Sequence, residues 1–246
     1  MPTVLMVRHG RSTANTAGVL AGLTPGIALD DTGREQAAAL AVRLAGVPLA
    51  AVISSPVQRC RETAELLLAV AGPRGKFRRR PDLELDDRLA EADYGEWTNR
   101  TLHDLAREPL WRTVQAHPSA VTFPGGESLR GMQARAVDAV REYDSRISEL
   151  AGEAAVWVAV SHGDVIKGVI ADALGVHLDS FQRIVADPCS VTAIRYTATR
   201  PFVLRVNDTG GDLTALVPSR RRRAGGPRAA GGRADDAIVG GGGGAT

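Results

Sequence analysis

The sequence predicts an α/β fold, a three-layer αβα sandwich with a mostly parallel central sheet. Three observations carry that reading. Four short apolar runs bounded by polar turns, at Thr3 to Val7, Ala51 to Ser54, Ala155 to Ser161 and Ser190 to Tyr196, have the length and composition of buried strands. Segments with helical spacing separate them, and strands alternating with helices imply a parallel sheet covered on both faces. At 246 residues and 44% hydrophobic content, the chain is long enough for one domain with a sizeable core.

Each helix has its own signal. Thr32-Gly33-Arg34-Glu35 leads into an Ala-rich segment that runs to Leu44. Pro56 opens a second helix to about Val70, because a first turn leaves the N–H that proline lacks unbonded anyway. From Glu127 to Leu150 the apolar residues Met132, Ala136, Val140, Tyr143 and Ile147 recur at three- and four-residue steps, an amphipathic pattern. Asp164 to Leu174 follows the third strand as the last helix.

Charge divides the chain unevenly. Residues 218–246 hold six Arg against two Asp, so subtracting that surplus of four from the net charge of +2 leaves residues 1–217 at −2. A folded domain is therefore expected over 1–217, followed by an Arg/Gly-rich disordered tail over 218–246 with nine glycines. A second basic cluster, Lys76 to Arg80, reads as an exposed connection or edge strand. The acidic balance of the body gives no case for nucleic-acid binding. The start of the chain shows no basic, cleavable leader, and no apolar run approaches the roughly 18 to 20 residues of a membrane span, so the cytoplasm is the expected compartment. Two cysteines, Cys60 and Cys189, are too few for a disulfide framework and lack metal-ligand spacing; they are expected as buried small residues.

In a sheet of this class, ligands bind at the carboxyl ends of the strands. The first strand ends in Arg8-His9-Gly10, the second leads into a helix carrying Arg59, and the third ends in Ser161-His162-Gly163. If the strands are parallel, two guanidiniums and two imidazoles converge on one rim. That set suits phosphoryl transfer, in which fixed cations hold the charge on the equatorial oxygens. A guanidinium is always charged and forks onto two oxygens, and a neutral imidazole can attack phosphorus. Gly10 and Gly163 are read as glycines that let backbone amides approach the anion, with the positive end of the following helix aimed there. The leaving alkoxide needs a proton, and in LAEADYGEW, residues 89–97, either Glu91 or Glu96 could supply it.

These residues fall into five ordered motifs. They are Arg8-His9-Gly10-Arg11-Ser12 with Asn15; Ser55-Pro56 with Arg59, Thr63 and Ala64; Leu89 with Glu91, Gly95 and Trp97; Pro124 to Ser128; and Ser161 to Gly163. Together they resemble the histidine phosphatase superfamily, in its phosphoglycerate mutase-like branch 1, from residue 4 to about 170. The resemblance implies a phosphoglycerate mutase-like fold with no cofactor, and His9 as the phosphorylated nucleophile. It implies Glu91 rather than Glu96 as proton donor, and a catalytic His162 that also binds phosphate with Arg8, Asn15, Arg59 and Gly163. Arg11, Ala21 and Gly22 are placed on the substrate side, and a homodimer is the implied assembly. Glu127 and Ser128 either help close the pocket or cap the long helix.

Departures from the family pattern bear on the substrate. Arg11 and Ser12 stand where Glu and Thr are usual, and an extra cation at the mouth would favour a doubly anionic substrate. Thr98-Asn99 follow Trp97, and Asp164 follows the second His-Gly, where its charge suits a helix N-terminus. Only 26 residues separate Trp97 from Pro124, without the longer insertion of cofactor-dependent mutases, which favours hydrolysis of a small phosphorylated metabolite. Three rivals remain: a mutase, a non-catalytic phospho-ligand binding module, and a thiolate phosphatase using the Cys189-x5-Arg195 spacing. The last is weak, because SVTAIRY reads as a β-branched strand rather than an anion loop. A metal held by His9 and His162 would be repelled by the two arginines.

Overall fold

The computed structural model describes residues 2–70 and 80–211. The tail over 218–246, the domain boundary at 217 and Lys76 to Arg79 of the basic cluster lie outside the described residues.

A six-stranded sheet has the order β3-β2-β4-β1-β5-β6, from β1 (Thr3–Arg8), β2 (Leu49–Ser54), β3 (Leu83–Leu85), β4 (Val156–Ser161), β5 (Val191–Tyr196) and β6 (Pro201–Asp208). The first four run parallel, β5 is antiparallel to β1, and β6 is antiparallel to β5. The four strands read from the sequence are present. β3 and β6 are not legible in it, because β3 has only three residues and β6 is an edge strand that leaves Phe202, Leu204 and Val206 exposed.

Side-chain alternation along the strands explains the sandwich. On β4, Trp157 and Ala159 enter one core while Val158 and Val160 enter the other. The second core is filled from α2 (Asp31–Leu44) and α3 (Gln58–Val70) by Ala37, Leu40, Cys60, Ala64 and Leu67. The first is filled from α6 (Leu129–Ala151) and α7 (Gly163–Leu174), where Met132, Ala136, Val140, Ile166 and Ile170 are buried. The repeating positions seen at Glu127 to Leu150 are therefore the buried face of α6. Three short helices add to those the sequence predicts: α1 (Thr13–Ala17), α4 (Leu102–Leu105) and α5 (Pro109–Ala116). With at most eight residues each, they are too short to show a period. Among the described residues, no helix is long and apolar enough to cross a membrane.

Candidate active site

The parallel pairing of β1 with β4 sets the centre of the site. Arg8 lies opposite Ser161 in that register, so the residues that follow, His9 and His162, leave the sheet side by side. Their ring centroids are 5.2 Å apart, with the planes at 63°. β2 ends on the other side of β4, where the Ser55 N–H donates to the Val160 carbonyl at 2.9 Å. Arg59 then enters from the first turn of α3. All four side chains that the strand ends were expected to bring together are buried here.

Arg59 ties the two rings to each other. Its Nε donates to His9 Nε2 at 3.2 Å, and its Nη2 donates to His162 Nδ1 at 3.0 Å and to the Gly22 carbonyl at 2.9 Å. Its Nη1 is buried and has no hydrogen-bond partner among the described residues. Arg8 donates from Nη1 to the Ala186 carbonyl at 2.7 Å, which fixes a fully buried cation beside the rings.

These partners assign the tautomers. His9 Nδ1 faces the Gly10 carbonyl at 2.7 Å, and a carbonyl only accepts, so Nδ1 carries the proton and Nε2 presents its lone pair. His162 Nδ1 accepts from Arg59, so its proton sits on Nε2 and is donated to Ser55 Oγ at 2.8 Å. Burial, reinforced by the neighbouring Arg59, holds the pKa of both rings well below the usual histidine value. Both are neutral at neutral pH.

Glu91 is buried, and its Oε2 lies 3.8 Å from His162 Nδ1, whereas Glu96 is exposed. The geometry therefore separates the two carboxyls that the sequence left open. Burial pushes the Glu91 carboxyl up to about 7, aided by the charge of Asp164 and opposed by Arg59. Asp164 is more than a favourable charge at a helix start: it is fully buried, accepts from the Tyr94 hydroxyl at 3.0 Å and pairs with Lys167 at 3.4 Å. Its buried surroundings could not be read from α7 alone, since Tyr94 reaches it from a distant loop.

Several expected residues have other partners. The Asn15 side-chain oxygen accepts from both the Ser12 N–H and Oγ, at 3.0 and 2.9 Å, in a capping box that starts α1. Arg11 pairs through its Nε with Asp30 at 2.7 Å. Gly10 does not bring an amide to an anion, because its N–H donates to Thr63 Oγ1 at 3.1 Å. Glycine is required there by packing: a methyl group would stand 2.4 Å from the Gly33 carbonyl oxygen. Gly163 is the first residue of α7 behind the N-cap His162, so the helix does start at the rings. Ala21 and Gly22 are buried next to the site, and Gly22 takes part through its carbonyl.

A cleft of about 740 Å³ opens over Glu91, between Leu23 to Gly26, the start of α3, and Asp87 and Asp93. The cation the sequence missed is Arg61. It lines this cleft, is exposed, and makes no side-chain hydrogen bond or ion pair among the described residues. Its spacing from Arg59 places it on the solvent side of α3, which an ordinary surface arginine shares, so the sequence carried no signal for it.

The thiolate alternative fails on geometry. β5 runs antiparallel to β1, so Val191 lies beside Val7 at the site end while Arg195 lies beside Thr3 at the far end. Burial pushes the Cys189 thiol up to about 12. Cys60 is also buried, as expected, with its Sγ 3.4 Å from His162 Nε2.

A doubly wound sheet whose strand ends hold two neutral imidazoles, two guanidiniums and a protonatable carboxyl is the architecture of an enzyme that works on phosphate esters. Comparison with known proteins gives the class its name. The chain belongs to the histidine phosphatase superfamily (branch 1), whose family profile matches residues 4–209, and it is a phosphatase enzyme. It is 29% identical over 218 residues, 85% of this chain and 93% of the other, to phosphoserine phosphatase 1 of Hydrogenobacter thermophilus. It is 28% identical over 207 residues, 82% of this chain and 89% of the other, to 2,3-bisphosphoglycerate-dependent phosphoglycerate mutase 2 of Gloeobacter violaceus. Among solved structures, Bacillus stearothermophilus YhfR superposes with a TM-score of 0.74 at 26% identity, covering 85% of this chain and 98% of that one.

Proposed function

We propose that the protein is a metal-independent phosphomonoesterase that hydrolyses a small phosphorylated metabolite through a phosphohistidine on His9. One observation supports this most: the Gly10 carbonyl holds the proton on Nδ1 and so leaves Nε2 as a lone pair beside Arg59. In the first step, Nε2 forms a bond to phosphorus as the phosphorus–oxygen ester bond breaks, and Glu91 gives its proton to the departing alkoxide. In the second, the Glu91 carboxylate takes a proton from water, whose oxygen displaces His9 and releases inorganic phosphate. Arg8, Arg59 and the amide end of α7 at Gly163 hold the equatorial oxygens, His162 joins them once the arriving dianion draws Arg59 away and favours a proton on Nδ1, and Asn15 is a further ligand. The arginines supply the charge that a metal ion supplies elsewhere.

The cleft argues for a substrate with further charge. Arg61 would receive a second anionic group, the role expected of Arg11, and Asp87 and Asp93 in the facing wall would hold a cationic one. A phosphorylated zwitterion such as phosphoserine, the substrate in the name of the Hydrogenobacter relative, meets both.

Phosphate release by wild type and His9→Ala in EDTA tests the reading. Release by wild type alone, with an acid-labile phosphoenzyme, supports it; equal release by His9→Ala refutes it. A second reading, phosphoglycerate mutase, is favoured by the name of the Gloeobacter relative. Efficient interconversion of 2- and 3-phosphoglycerate without phosphate release would select it.

A further inference from the structure

We infer that Arg135 is a positioning residue for Glu91, acting through the loop backbone with Glu127 as its anchor. The inference rests on Glu91 being the proton donor. Arg135 lines the cleft, yet its fork is filled by protein. Nη1 donates to the carbonyls of Arg88 and Ala90, each at 2.8 Å, and Nη2 donates to the carbonyl of Glu91 itself at 3.0 Å. The remaining donors bind Glu127 side-on, Nη2 to Oε1 at 2.6 Å and Nε to Oε2 at 3.1 Å. All five N–H groups are used, so this cation has none left for a substrate.

Glu127 fastens the loop a second time. Its Oε1 accepts from the Asp93 N–H at 3.0 Å, and its own N–H donates to the Asp93 carbonyl at 2.9 Å. The contact is backbone on backbone, since a methyl group on Gly126 would stand 2.2 Å from the Asp93 carbonyl oxygen. The loop is thus strapped to the head of α6 on both sides of Glu91. Meanwhile Ser128 caps α6, accepting from the Gly131 N–H at 3.0 Å. Of the two roles considered for Glu127 and Ser128, capping falls to the serine.

The strap matters for proton transfer because the Glu91 carboxyl has little to aim it. Its hydrogen bond comes from the adjacent Ala92 N–H at 3.1 Å, so the backbone decides where the carboxyl points. Misplacing a reacting group by about 1 Å costs on the order of a hundredfold in rate.

The test compares two substrates of the full-length enzyme, p-nitrophenyl phosphate, whose leaving group needs no proton, and an alkyl phosphate, whose leaving group does. Arg135→Lys keeps the charge near His162 and removes the fork. It should lower kcat/KM, which reports ester cleavage and not the later hydrolysis of the phosphohistidine, roughly 10- to 100-fold on the alkyl ester, and leave that of the aryl ester within about threefold. Glu127→Gln should show the same pattern to a smaller extent, and serves should the first variant fold poorly. Adding Arg135→Lys to Glu91→Gln should cause no further loss on the alkyl ester. Equal losses of kcat/KM on both esters, or none on either, overturn the inference. His9→Ala must abolish turnover of both; if it does not, the phosphohistidine reading fails and takes this inference with it.

Discussion

Arg59 donates its Nε–H to His9 Nε2 across 3.2 Å, the nitrogen proposed above to attack phosphorus. On the proposed mechanism an incoming phosphate has to draw this guanidinium from the ring nitrogen onto its own oxygens.

Removing Arg59 should act on both limbs of the pH profile. Its charge lowers the pKa of His9 and of Glu91, so Arg59→Ala should raise both. Nucleophile protonation would begin at higher pH, and ionisation of the proton donor would be delayed. The optimum of kcat/KM moves upward while its height falls roughly 10²- to 10³-fold, the usual loss of one charged transition-state donor. A pH series for both enzymes checks this; a reduced rate with an unmoved optimum would show that Arg59 does not act on the two groups.

The convergence of Arg8, His9, Arg59 and His162 was legible in the sequence because strand ends, not distant contacts, bring them together. Parallel pairing converts sequence motifs into neighbours without further information. What stayed hidden depends on side-chain partners across the chain. Asn15 and Ser12, read as phosphate ligand and family variant, also cap α1 together through the asparagine oxygen and the serine hydroxyl. Arg11 and Arg61 are both arginines near the mouth, and only the position of Asp30 explains why the first is tied back. Glu91 and Glu96 are five residues apart on one irregular loop, where no period predicts burial.

Arg61→Ala should affect only substrates that carry a second anion. An exposed, charge-assisted contact is worth about 1 kcal/mol, so KM for phosphoserine should rise roughly 3- to 10-fold. For p-nitrophenyl phosphate, which has no such group, KM should stay unchanged. A parallel rise for both substrates would remove Arg61 from substrate selection.

Gly33 packs against the backbone of Gly10 and Arg11, just after His9. A methyl group there would stand 1.9 Å from the Arg11 carbonyl oxygen, and both atoms belong to backbone that cannot rotate away. Gly33→Ala should therefore destabilise the fold by about 1 to 3 kcal/mol or more and displace the Arg8 to Arg11 segment. Gly18→Ala is the comparison: it meets nothing within 4 Å and carries only the strain of a φ of 64°. Thermal unfolding in which both variants melt alike would show that the Gly33–Arg11 contact is not tight.

Glu91 should destabilise the protein above neutrality, and the sign follows from proton binding. Its carboxyl is pushed up to about 7 in the fold, against an ordinary glutamate value of 4.5. Between those values the unfolded chain has released a proton that the folded chain keeps, so raising the pH favours unfolding. Above pH 7 the cost levels off at about 3 kcal/mol, undiminished by solvent because the residue is 4% exposed. Glu91→Gln removes this charge. It should raise Tm over wild type at pH 8 and show little difference at pH 4, where the wild-type carboxyl is protonated in both states. The same variant should lose roughly 10²- to 10⁴-fold in turnover of alkyl phosphates. Calorimetry at the two pH values decides it: an equal Tm difference at both would mean that Glu91 titrates near its ordinary value and is not held protonated for catalysis.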